Sequence, residues 1–179
     1  MRSRRGFAAP LLLAGLVACI APHGTVQVLS PGSMELASAP VGDVKVVLAP
    51  TVPESRRRVF LEHNGEAVIR QAITDVFMQR AHWDPSSPQV LHLTVTKLKL
   101  RSTANARFNG IFSAIDILDG EAELTMGSAA PGRYTFKVSG TNDYGSSSST
   151  RLRDLARRLS MELAQYIVPA GKGAATPAS

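Results

Sequence analysis

Apolar residues recur along this chain with two different periods, and the places where one period gives way to the other outline the fold. Val44-Lys-Val-Val-Leu-Ala49 is a short β-branched run closed by Pro50, which predicts a strand. Thr51 to His63, with Pro53 and three consecutive arginines, reads as a loop. Val68, Ala72, Val76 and Ile69, Ile73, Phe77 then repeat every fourth residue. That wide apolar stripe predicts a deeply packed helix over about 64 to 82, with Asn64 as its cap and Glu66 against its dipole. Asp84-Pro85-Ser-Ser-Pro88 ends it.

The second strand alternates with a slip. Leu91, Leu93 and Val95 share one parity and Leu98 and Leu100 the other, so keeping all five on the core side requires one extra residue near Thr96-Lys97, a β-bulge. Asn105 to Gly110 reads as a turn. Ile111, Ile115 and Ile117 oppose Ala122, Leu124 and Met126 in parity, with the switch at Asp119-Gly120. A glycine bulge within one long strand fits this better than a two-residue hairpin, because Ala129-Ala-Pro-Gly132 already supplies a turn before the alternating Tyr134-Thr-Phe-Lys-Val138. Asn142 to Ser149 is a serine-rich loop. Thr150 can cap a last helix, whose stripe is Leu152, Leu155, Ala156, Leu159, Leu163, Tyr166 and Ile167. Its other face carries Arg151, Arg153, Asp154, Arg157, Arg158 and Glu162, with i,i+4 pairs of opposite charge. The order β-α-β-β-β-α predicts an α+β two-layer sandwich: a mainly antiparallel sheet with two helices on one face.

The ends of the chain carry no such periodicity. Residues 1–18 begin with Arg2, Arg4 and Arg5 and continue into a 13-residue apolar run from Gly6 to Ala18. A spanning helix needs about 20 apolar residues, so this run reads as an export signal. Residues 19–42, with Pro22, Pro31, Pro40, Gly24, Gly32 and Gly42, read as a flexible tether. Residues 43–168 are then the folded domain, expected to fold without the tether, and 169–179 a disordered tail.

Composition narrows the function classes. In 179 residues, 44% are hydrophobic, 19% charged and 6% aromatic, which is globular, not fibrous or disordered. The net charge is +6, but residues 1–18 hold three arginines and no acid, which leaves +3 on the remainder. Nucleic acid therefore drops out as the leading partner. A single cysteine excludes a disulfide framework and any multi-cysteine metal site.

Candidate chemistry is sparse. His23, His63, His82 and His92 are isolated, so no metal site and no cofactor is expected. No Gly-x-Ser-x-Gly elbow occurs, and Gly145-Ser-Ser-Ser-Ser-Thr150 lacks the Gly-Lys of a phosphate loop. Asp116, Asp119, Glu121 and Glu123 on one strand read as a solvated acidic face, and the arginines of the last helix as a solvated basic one. Arg56, Arg57 and Arg58 are candidates for contact with anionic lipid. No catalytic residues are expected, so the chain reads as a non-enzyme.

One motif is specific. Leu16-Val17-Ala18-Cys19 resembles the lipobox of bacterial lipoproteins, Leu-(Ala/Val/Ser)-(Gly/Ala)-Cys. That resemblance implies a diacylglyceryl thioether on Cys19, cleavage before it and acylation, such as palmitate, of the new terminus. Ile20 in place of Asp implies sorting to the outer membrane, on its periplasmic face. Ser3-Arg4-Arg5-Gly6-Phe7 also resembles the twin-arginine export motif, which leaves the export route open between the general and twin-arginine pathways.

With Thr25-Val-Gln-Val-Leu-Ser-Pro31, the Val44 strand, the helix Ala67–Arg80 and Val90-Leu-His-Leu-Thr-Val95, the chain resembles the YajG family of Gram-negative envelope lipoproteins over about residues 25 to 167. The layout is more distantly similar to lipopolysaccharide-assembly lipoproteins and to auxiliary lipoproteins of lipid-transport ABC systems. The resemblance implies a lipid-anchored, non-enzymatic accessory protein of the cell envelope, with an envelope protein as partner. The alternative is an auxiliary component of lipid or lipopolysaccharide transport, and a hydrolase is the third reading.

Overall fold

The computed structural model describes residues 24–100, 115–140 and 146–168, so the expected export signal, the lipobox-like motif with Cys19, the expected 105–110 turn and the expected C-terminal tail lie outside the described residues. The elements are β1 (Gly24–Ser30), α1 (Met34–Ser38), β2 (Asp43–Leu48), α2 (Glu54–Glu62), α3 (Gly65–Gln79), β3 (Val90–Lys99), β4 (Asp116–Thr125), β5 (Gly132–Gly140) and α4 (Ser148–Ile167). The fold is α+β. Five strands form one open sheet in the order β1-β5-β4-β3-β2, and the helices cover one face.

The pairing follows from the connections. β2 and β3 are parallel because α3 carries the chain back across the sheet between them. β3, β4, β5 and β1 pair antiparallel in turn. The β4–β5 turn falls where Ala129-Ala-Pro-Gly132 predicts it. Alternate strand residues, among them Val44, Val46, Leu91, Leu93, Leu118, Leu124, Phe136 and Val138, point inward to meet Ile69, Ile73 and Phe77 of α3 and Leu152, Leu155, Leu159 and Leu163 of α4. Strand periodicity and helix periodicity thus close on one core.

The β3 bulge lies where parity requires it. Val95 pairs with Gly120 and Lys97 with Asp119, so Thr96 is the extra residue, and Leu98 and Leu100 return to the core. The expected glycine bulge in β4 does not exist. β4 runs without a break against β5, and its even-numbered residues 116, 118, 120, 122 and 124 all face the core. Leu118, not Ile115 or Ile117, is the buried residue there. One bulge on one of two paired strands suffices to shift their mutual register, so the second was redundant.

Three other expectations need correction. The tether read over 19–42 is part of the fold from Gly24 onward. β1 pairs along β5, Val26 is buried, and Leu36 of α1 is wholly buried with Gln89 Nε2 donating to its carbonyl at 2.7 Å. The folded unit therefore does not begin at residue 43. An edge strand with one buried side chain shows little periodicity, and its prolines and glycines dominate the pattern. Second, 51–63 is not all loop. Pro53, whose fixed φ suits a helix start, precedes Glu54 and a run of good helix formers, and α2 results. Asn64 is not a side-chain cap. It takes the left-handed conformation (φ 49°, ψ 46°), which Asn tolerates, and so breaks the chain between α2 and α3. Third, α4 is capped by Ser147, whose hydroxyl accepts from the Thr150 amide, and not by Thr150.

A chain beginning at Gly42 should consequently lose its cooperative melt, because β5 is left with an unpaired edge and the core around Leu36 is opened. Leu36→Ala alone should cost about 2–5 kcal/mol. Thermal denaturation followed by circular dichroism measures both. A cooperative transition at unchanged temperature in the shortened chain would show that β1 and α1 add nothing to stability.

Candidate functional site

α3 and α4 lie side by side, and each spends one stripe on the sheet. Because an α-helix has no integral number of residues per turn, the side chains flanking those stripes are left on the outer surface between the helices. There they line an open groove of about 750 Å³. Its floor is Ala67, Val68, Ala72 and Val76 of α3 with Met161 of α4. Its walls carry Gln71, Asp75, Gln79 and Arg80 on one side and Arg153, Asp154 and Arg157 on the other. Arg80 Nη1 donates to the Ala164 carbonyl at 3.2 Å and fixes the helices to each other at one end. Arg153 and Arg157 are exposed. The stripe Val68-Ala72-Val76, expected to be fully packed, is half-buried and forms this floor.

A second pocket of about 340 Å³ is lined by Leu29, His92, Thr94, Glu121, Ala122, Glu123, Arg133 and Tyr134. His92 faces Glu123 across the β3–β4 pair, but Arg133 Nε donates to Glu123 Oε1 at 3.1 Å. Burial raises the pKa of the Tyr134 hydroxyl, so it stays protonated through neutral pH. Glu123, the carboxylate opposite His92, is held by Arg133.

The acidic strand divides between the two faces of the sheet. Asp119 lies 3.7 Å from Lys97 Nζ and Glu123 pairs with Arg133, both across strands on the outer face, where Glu121 is exposed. Asp116 is not solvated. It is 1% exposed, with Arg151 Nε 3.5 Å from its Oδ2. Arg151, read from the sequence as part of a solvated basic face, is also 1% exposed. Its Nη1 donates to the Ser146 carbonyl and its Nη2 to Ser148 Oγ at 3.2 Å. This cluster pins the start of α4 to the start of β4.

The three arginines expected to meet anionic lipid are placed differently. Arg56 Nη1 donates to the Leu100 carbonyl at 3.1 Å and Arg57 Nη2 to the Ala49 carbonyl at 3.0 Å. Both cap strand ends, and of the three only Arg58 is exposed. His82 is buried, with its ring edge-on to Phe77. Among the described residues no group of three or more His, Cys, Asp or Glu side chains is placed to hold a metal ion. No helix among them is long and apolar enough to cross a membrane.

The groove and the Asp116–Arg151 pair escaped sequence reading for the same reason: each joins residues far apart in the chain. The one available signal for the groove was that the stripe on α3 is wider than a single buried face needs.

No family model matches the chain, and no curated protein matches it. Among solved structures it is similar to PelC dodecamers from Paraburkholderia phytofirmans. A point variant of PelC in space group C2 is 16% identical, with 82% of this chain and 100% of that chain covered and a TM-score of 0.47. PelC in space group P6 is 12% identical, with 81% and 99% covered and a TM-score of 0.45.

Proposed function

We propose that this chain is an envelope lipoprotein of the YajG type, held at the periplasmic face of the outer membrane by lipid on Cys19, and that it acts by binding a partner protein without catalysing a reaction. The observation that carries the reading is Leu16-Val17-Ala18-Cys19, closing an apolar run too short to span a bilayer and containing the chain's only cysteine. Several acyl chains, at about 0.8 kcal/mol per buried CH₂, hold a protein at a membrane far more firmly than one. The groove between α3 and α4 is the docking surface. Its occupant is an amphipathic helix of an envelope protein, with apolar residues on the Val68-Ala72-Val76 floor and carboxylates toward Arg153 and Arg157.

Cys19→Ser should abolish the diacylglyceryl adduct in mass spectrometry and move the protein out of the membrane fraction. A Cys19→Ser protein that stays membrane-bound with its signal removed would refute the anchor. For the groove, a photo-crosslinking residue at Ala72 should give a discrete adduct to one helical peptide of an envelope protein, and one at exposed Thr51 should not. An adduct of phospholipid or lipopolysaccharide mass at Ala72 would favour the transport reading. Equal diffuse labelling from both positions would remove the groove as a docking surface.

A further inference from the structure

Cys19 precedes the first residue of β1, Gly24, by five positions. Five residues span at most about 18 Å, so a lipid on Cys19 cannot sit farther than that from Gly24. β1 is seven residues long, about 23 Å at strand rise, and α1 and the β4–β5 turn lie beyond its other end. A tether of this length cannot carry the lipid to that far end.

Gly24 marks one end of the sheet. There β5 and β3 finish, β4 begins with Asp116 against Gly140, and Arg56 and Arg57 hold α2 to the carbonyls of Leu100 and Ala49. The start of α4 sits at this end too, through Arg151 and Asp116.

The two ends differ in charge. The near-end segments 49–66, 97–100, 115–119, 137–140 and 146–154, with Glu162 whose side chain lies over Gly24, carry eight Lys or Arg against seven Asp or Glu. The far-end segments 31–43, 80–89 and 126–132 carry Glu35, Asp43 and Asp84 against Arg80 alone. The N-terminal dipole end of α4 adds positive potential at the near end, while the C-terminal end of α2 offsets that of α3.

From reach and charge together, and resting on the proposed lipid anchor, we infer that the protein stands on its membrane with the Gly24 end, including α2 and Arg58, against anionic phospholipid headgroups, and with α1 and the β4–β5 turn pointing away. Electrostatic attraction falls off within about 8 Å at physiological salt, so only the end the lipid brings close gains from it. The α3–α4 groove then rises from the membrane instead of lying against it.

The test uses the full-length lipidated protein. Lipid blocks Cys19, so a thiol introduced by Ser55→Cys on α2 or by Ser128→Cys in the far-end turn is the only one open to a fluorophore; both serines are exposed. The ten residues of β4 put these sites about 33 Å apart along the sheet. In phosphatidylethanolamine–phosphatidylglycerol vesicles doped with headgroup-nitroxide lipid, the label at position 55 should be quenched severalfold more than the label at position 128. Membrane-bound protein with equal quenching, or with stronger quenching at position 128, overturns the orientation alone. Protein that never enters the vesicle fraction overturns the anchor and the orientation with it.

Discussion

Replacing Arg151 with methionine should destabilise the fold by about 3–5 kcal/mol, because it takes the guanidinium counter-charge from the Asp116 carboxylate in a site that is 1% exposed. In a domain of this size that corresponds to a fall in Tm on the order of 10 °C. The guanidinium also holds the Ser146 carbonyl and the Ser148 hydroxyl, so the first turn of α4 should fray in the variant. The double variant Arg151→Met with Asp116→Leu should recover most of the loss, since a buried ion pair exchanged for apolar residues of similar volume is often neutral. Urea denaturation of the two single variants and the double variant gives the coupling directly. A loss under about 1 kcal/mol for Arg151→Met, the range of an exposed surface pair, would mean that the pair is solvated in solution.

Gly120→Val should also be severely destabilising, and its sign is informative. By strand propensity alone, valine in the middle of β4 should stabilise relative to glycine, by up to about 1 kcal/mol. The packing dictates the opposite. A Cβ at Gly120 would run into the Thr94 carbonyl oxygen and lie 2.5 Å from Phe136 Cζ. Thr94 belongs to the bulged strand, two residues before the extra residue Thr96, and Gly120 pairs with Val95 directly across. The glycine is therefore there for close approach, not for positive φ. Overpacking a core costs about 1–3 kcal/mol for extra methylenes, and a clash with backbone belongs at or above the top of that range. Gly120→Ala with Phe136→Leu should recover only part of the loss, because the Thr94 carbonyl cannot step aside. Equilibrium unfolding of the Gly120→Val, Gly120→Ala and double variants decides this. A Gly120→Val protein as stable as the parent would show that β3 and β4 are farther apart than the structure places them.

Much of the layout is determined by local pattern. The stripes of α3 and α4, the alternation of β2, β3 and β5, the turn at Ala129–Gly132 and the bulge at Thr96 could all be read from sequence. Each depends on which side of its own element a residue occupies, and the periods of 3.6 and 2 state that directly. α2 was harder because one residue of its nine, Phe60, is buried, so the Arg56-Arg57-Arg58 run outweighed the helix signal at Pro53-Glu54. β1 and α1 failed for the same reason at the sheet edge, where a single buried side chain in each leaves almost no period to detect.

What the tertiary structure alone decided is the partner of each polar group. Arg56, Arg57, Arg58 and Arg151 look alike in the sequence, yet Arg56 and Arg57 end strands, Arg58 faces solvent and Arg151 is buried on Asp116. Asp116 and Asp119 are three residues apart on one strand and lie on opposite faces, one in the core end and one on the outer surface. Apolar burial needs only a side, which the chain encodes locally. A charge needs a counter-charge or a carbonyl at about 3 Å, and for these arginines the partners come from up to 44 residues away. The sequence by itself therefore determined the layers and supplied the lipobox-like motif, while the ion pair, the groove and the two unlike ends of the sheet exist only once β1 to β5 have found their order.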